Sequence, residues 1–218
     1  MFMKKMLLLM MSAGLLLAAH AQNEKYVGYM KKTLAQLDSA TTPDALQQVA
    51  NSFERIANAE KGEWQPGYYG AYALVMKAFY MQELKEVDAT CDKADAMLAL
   101  AESIAGMKNS EILTLKSMVL TARMRVDGSR GMTMGPKATQ LLQQALQGQP
   151  ASNPRAMVQM AQMLFYTPPA FGGGKEAGIE WLKKGIAAYE TFKPATELDP
   201  TWGKPYAEGL LQQWTAGK

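Results

Sequence analysis

The chain has 218 residues, 23 of them Lys or Arg and 20 Asp or Glu, for a formal charge of +3. Taking residues 1–21 as a secretory signal removes Lys4 and Lys5 and leaves 21 bases against 20 acids in 197 residues, which excludes a broadly basic nucleic-acid binder. The single histidine, His20, falls inside that signal and the single cysteine is Cys91, so the mature chain has no imidazole for a triad, a zinc site or a near-neutral general base, and no intramolecular disulfide.

From the N-terminus, Met1 to Lys5 form a short basic region, Met6 to Ala18 an unbroken run of apolar and small residues, and Ala19-His20-Ala21 an A-x-A cleavage site. The apolar run falls short of the ~20 residues that cross a bilayer, and no cysteine near the cut would carry a lipid. These features predict an exported, soluble protein, most simply periplasmic, with residues 22–218 forming one domain.

Helical periodicity and helix punctuation then recur to the end, with almost no strand signal. Nine helices are predicted: Glu24 to Leu37, Pro43 to Ala59, Pro66 to Leu84, Asp88 to Ala105, Ser110 to Arg125, Pro136 to Gln147, Pro154 to Tyr166, Lys175 to Phe192 and Pro200 to Trp214. Five open on a proline, whose missing N–H costs nothing in the first turn, and Thr42, Asn153 and Asp199 stand before three of those prolines as N-caps. Beneath this series runs a repeat. Second helices carry a small, large, small pattern at i, i+4, i+7: Ala94, Leu98, Ala101; Ala138, Leu142, Ala145; and Ala177, Trp181, with Lys184 at the third place. First helices carry apolar faces: Tyr69, Tyr72, Ala73, Met76; Leu115, Met118, Val119, Ala122; and Met157, Met160, Ala161, Leu164. Small residues let helices approach and the large one fills the space between them.

Other constellations have plainer accounts. Gly172 to Lys175 is not a phosphate loop, because Pro169 stands where a glycine is needed and Glu176 where Ser or Thr is needed. It is instead an expanded turn in which Phe171 tucks into the core. Met132 and Met134, in a predicted glycine-flanked loop, are soft donors with neither Cys nor His beside them, so no metal or cofactor is expected. The aromatic residues Trp64, Tyr68, Tyr69, Tyr72, Phe79 and Tyr80 are mostly core, with part of the set facing a groove. Cys91 is a small buried hydrophobe. Glu60, Glu63, Glu83, Glu86 and Asp88 have no spacing that sets up an acid and base pair, so no enzyme is expected.

The small, large, small helices, the apolar partner helices and Pro150 after the central pair resemble the tetratricopeptide repeat, from Pro66 to Phe192, with Pro43 to Ala59 as a degenerate first unit and Pro200 to Trp214 as a cap. Asn153-Pro154-Arg155, Thr167 to Lys175 and Asp199 to Gly203 also resemble a group of exported tetratricopeptide-like bacterial proteins. The resemblance implies an all-α, right-handed array of antiparallel helix hairpins, and no activity. It implies further that first helices line a concave groove. The positions this selects are Leu74, Lys77 and Ala78; Leu113, Lys116, Leu120, Arg123 and Met124; and Arg155, Val158, Gln162, Phe165 and Tyr166, a set with four cations and no acid. Such a groove predicts a non-catalytic binding module for a protein or peptide, acidic or ending in a carboxylate, with Lys116 and Arg123 reversible to Glu without unfolding. The alternative is a small-molecule carrier with a pocket near Tyr68 to Tyr80.

Overall fold

The structure is a computed structural model that describes residues 24–148 and 152–216; the predicted signal and Pro150 lie outside them. Among the described residues there are nine α-helices and no strand: α1 (24–39), α2 (Pro43–Ala59), α3 (Gln65–Tyr80), α4 (Val87–Ala105), α5 (Ser110–Met124), α6 (Gly131–Gln147), α7 (Pro154–Tyr166), α8 (Lys175–Thr191) and α9 (Lys204–Thr215). No described helix is long and apolar enough to cross a membrane.

Local chemistry sets most of these boundaries. Thr42 caps α2 by accepting from Ala45 N–H, and Asn153 caps α7 through Arg155 and Ala156 N–H. Two proline predictions fail. Helix α6 starts at Gly131, after a 3-10 turn over Gly128–Arg130 that Asp127 caps at Ser129 N–H, so Pro136 lies inside the helix. Pro200 opens no helix, because the Asp199 carboxylate accepts from Ala195 N–H, Thr196 N–H and the Thr196 hydroxyl behind it; Pro205 takes the first-turn place in α9. Helix α3 ends at Tyr80 rather than at Leu84, with Met81 already extended.

The repeat governs packing. Ala94, Leu98 and Ala101 of α4 and Ala138, Leu142 and Ala145 of α6 are fully buried. In α8 the buried residues are Ile179 together with Gly178, Leu182 and Gly185; the last three set the small, large, small pattern one residue beyond the predicted Ala177 and Trp181, written with glycine. The largest core cluster joins α1 to α5, a second joins α5, α6 and α7, and a third joins α7, α8 and α9.

Consecutive helices pack in antiparallel pairs, and α3, α5 and α7 also pack directly on one another. Across that odd-helix face runs the segment Phe192 to Gly203, here called the strap. Leu198 is buried in the first core cluster although it lies more than 70 residues beyond the end of α5. Tyr69 donates its hydroxyl to Leu198 O (3.1 Å), Gln65 Nε2 donates to Asp199 Oδ1 (3.1 Å), and Trp202 Nε1 donates to the Tyr68 hydroxyl (3.0 Å). The turn before α8 behaves differently from its prediction in one respect: Gly172 does reverse the chain at φ 81°, but Phe171 is 80% exposed instead of tucked in, because the turn closes on the end of α7, with Gly174 N–H donating to Leu164 O (2.9 Å), and leaves that ring outside.

Candidate functional site

Helix α3 contributes two faces at once. Tyr68, Ala71 and Val75 are fully buried between its neighbours, while Tyr72, Met76 and Tyr80, spaced i, i+4, i+8, form a stripe that Tyr69 flanks. With Leu34 and Leu37 of α1, Leu46 of α2 and Trp202 of the strap, they line a cavity of about 430 Å³, a size usual for small-molecule sites. The Trp202 ring stacks on Tyr72 with centroids 4.4 Å apart at 18°. Asp38, Glu197 and Asp199 also line it; Lys31 neutralises Glu197 at 2.8 Å, and Asp199 is committed to the strap.

The tyrosine surface continues beyond the cavity. Burial, then the neighbouring Tyr166 of α7 and Tyr80 of α3, raise the Tyr206 phenol of α9. Tyr206 donates to Gln162 Oε1 (2.9 Å), and Tyr166 is 76% exposed beside Phe165, which stacks on Trp214 at 3.8 Å. Inside, burial and then the proximity of Tyr80, Tyr189 and Asp38 push the Tyr72 phenol well above its ordinary value. In the ligand-free protein Tyr72 therefore stays protonated well past neutral pH, as a stacking plate against Trp202.

A closed polar network holds the strap beside this cavity. Arg155 is fully buried and pairs with both Glu111 carboxylate oxygens, Nε to Oε2 at 2.8 Å and Nη2 to Oε1 at 2.6 Å. Glu111 Oε2 also accepts from Tyr68, Tyr68 accepts from Trp202, and Arg155 Nη1 and Tyr189 both donate to Trp202 O. The guanidinium lies over the Phe192 ring, 4.6 Å from its centroid. Burial opposes the Arg155 charge, but Glu111 outweighs it and drives the guanidinium further up.

The predicted basic groove does not assemble. Lys77 donates to Gln47 of α2 at 2.8 Å, Lys116 pairs with Glu102 of α4 at 2.6 Å, and Arg123 pairs with Asp92 and Asp95 of α4 at 2.7 and 2.8 Å and with Asp88 at 3.5 Å. Half-buried Leu120 lies between the last two on α5. All three cations point at the preceding even helix. Arg155 does face that side but is sealed under the strap. Of the predicted positions, Gln162 and Tyr166 join the tyrosine surface, and Phe165 supports it from below. What sequence reasoning missed is Trp202, noted only within a fold motif; the double use of α3, part core and part pocket wall between Tyr69 and Tyr80, is what the carrier alternative expects, although Tyr72 and Met76 also stand on the predicted packing face.

Met132 and Met134 sit in the first turn of α6, two residues apart and so on different sides of the helix. No group of three or more His, Cys, Asp and Glu able to hold a metal ion occurs among the described residues. Cys91 is buried against Val119 O, and burial pushes its thiol up to about 11.

No protein-family model matches the chain, and no curated protein does. Among solved structures it is similar to the HusA haemophore from Porphyromonas gingivalis, with a TM-score of 0.78 and 36% sequence identity over 88% of this chain and 94% of that one. At that identity, across nearly the whole of its relative, the chain belongs to the HusA family.

Proposed function

We propose that this protein is a non-catalytic, exported carrier that takes a flat, largely apolar tetrapyrrole such as haem on its odd-helix face. The observation that carries the reading is the cavity walled by Tyr69, Tyr72, Tyr80, Met76 and Trp202 and continued by Tyr166 and Tyr206. Aromatic plates and aliphatic side chains suit a broad π-surface, since stacked rings contribute ~0.5–1.5 kcal/mol each beyond the area they bury. Its kinship with a haemophore supports the same ligand class. A groove for an acidic peptide has less to rest on, because Lys116, Arg123 and Arg155 already hold acids of this chain.

The chemistry sets the orientation. Acids line the cavity at Asp38, Glu197 and Asp199, so the ligand's apolar edge enters and its carboxylates stay at the mouth. With no histidine among the described residues, stacking supplies most of the affinity and iron ligation little. Titration of the mature protein with haem and with iron-free protoporphyrin, followed by porphyrin absorbance and tryptophan quenching, tests this. Both ligands bind, with affinities within about tenfold of each other, and Tyr72→Ala and Trp202→Ala each weaken them about tenfold or more, as the loss of a stacked ring with its buried area implies. No binding by the wild type, or binding indifferent to both changes, overturns the reading.

A further inference from the structure

A second cleft, of about 540 Å³, lies between α1 and α2. It uses the face of α1 opposite to Leu34, which lines the aromatic cavity: Lys25, Tyr29, Lys32 and Gln36 fall at i, i+4, i+7, i+11 and make one stripe. Ser52, Arg55, Ile56 and Ala59 of α2 form the opposing wall, and the Tyr26 ring the floor.

Three features of this cleft bear on what it can hold. Lys25, Lys32 and Arg55 line one cleft together and form no ion pair among the described residues. Arg55 spends one N–H on Ser52 Oγ at 3.0 Å and keeps the remainder of its fork. Tyr29 leaves 63% of its surface in water at the rim, and the Tyr26 hydroxyl is buried with no hydrogen-bond partner. Glu60 is the acid among the lining residues, so bases outnumber acids there by three to one. Convergent cations above an aromatic and aliphatic floor match a molecule that is charged at one end and apolar at the other.

We infer that the α1–α2 cleft binds an anionic amphiphile, a phosphate monoester or diester or a carboxylate carried on an apolar body. The anion sits among Lys25, Lys32 and Arg55, and the apolar body lies along Tyr26, Tyr29 and Ile56. This site is separate from the aromatic cavity and does not rest on the tetrapyrrole reading.

Calorimetric titration of the full mature chain with hexyl phosphate, hexanoate and inorganic phosphate tests the site, alongside co-sedimentation with phosphatidylglycerol and with phosphatidylcholine vesicles. The wild type binds hexyl phosphate at least tenfold more tightly than inorganic phosphate. The triple change Lys25→Gln/Lys32→Gln/Arg55→Gln weakens that binding at least tenfold, while Lys137→Gln/Lys183→Gln/Lys193→Gln, with the same charge loss elsewhere, leaves it unchanged. Unaltered helical circular dichroism shows that both variants fold. Co-sedimentation with phosphatidylglycerol vesicles alone, lost in the first variant, makes a lipid headgroup the source; soluble amphiphile binding without vesicle binding makes it a free amphiphile. Equal affinity for inorganic phosphate, no binding of either amphiphile, or equal losses in the two variants overturns the inference.

Discussion

Arg155 and Glu111 show how much one buried pair can organise. Their guanidinium and carboxylate touch helices α3, α5 and α7 and the strap at once, through Tyr68 and Trp202. Glu111→Gln leaves a guanidinium buried without its counter-charge, which costs ~3–5 kcal/mol, whereas Glu111→Leu/Arg155→Met removes both charges and recovers most of that loss. Urea denaturation midpoints measure the difference; equal midpoints for the single and the double variant would contradict it. Alkali tests the tyrosines. Tyr68, Tyr69, Tyr72 and Tyr189 are all raised, chiefly by burial, so the folded state holds their protons more tightly than the unfolded chain does. Stability from this source is complete below about pH 10, where unfolded tyrosines titrate, and falls as pH rises past it. Absorbance of those tyrosinates should therefore grow together with the loss of helical dichroism, and not before it.

At the level of elements, α7 and α8 show why this repeat uses glycine. A Cβ on Gly178 would stand 2.5 Å from Phe165 Cβ and 2.8 Å from Phe165 Cα, so the two helices approach more closely than any larger residue permits. Gly178→Ala should cost ~1–3 kcal/mol by overpacking, and it should disturb the Phe165 and Trp214 stack on the far side of α7. A lower melting temperature with altered Trp214 emission is the expected result; a variant as stable as the wild type would mean that α8 slides without penalty. Helices α4 and α5 meet in another way, through the Arg123 guanidinium and three aspartates. Reversing Lys116 and Arg123 to Glu therefore sets acid against acid, and is not the neutral surface change the sequence suggests.

Across the whole molecule, a helical array normally couples only neighbouring units, so its unfolding can spread unit by unit. Here the strap bonds Asp199 to Gln65 and Trp202 to Tyr68, pairs 134 residues apart, and ties the C-terminal part of the chain to α3. The strap thereby joins distant parts of the chain and supplies one wall of the cavity. Trp202→Ala should split or broaden the thermal transition seen by circular dichroism; a sharp transition at lower temperature would show that the clusters couple without it.

The sequence by itself determined the helices, their order and most of their packing, because a 3.6-residue apolar period, N-caps such as Thr42 and Asn153, and Ala-Leu-Ala spacings are local signals. Composition needs no geometry either: the one histidine, His20, falls inside the predicted signal, so histidine chemistry is not expected of residues 22–218. The aromatic stretch of α3 was legible as core with part left for a groove, but which rings faced where depended on the helices around them. Only tertiary structure decided the site. A face prediction errs by a quarter turn when the register is off by one residue, and that displacement sent Lys77, Lys116 and Arg123 toward even helices. Trp202 reaches Tyr72 because the strap folds back across 130 positions, a closure driven by buried apolar area and the Arg155 network. Neither has any periodicity to read along the chain.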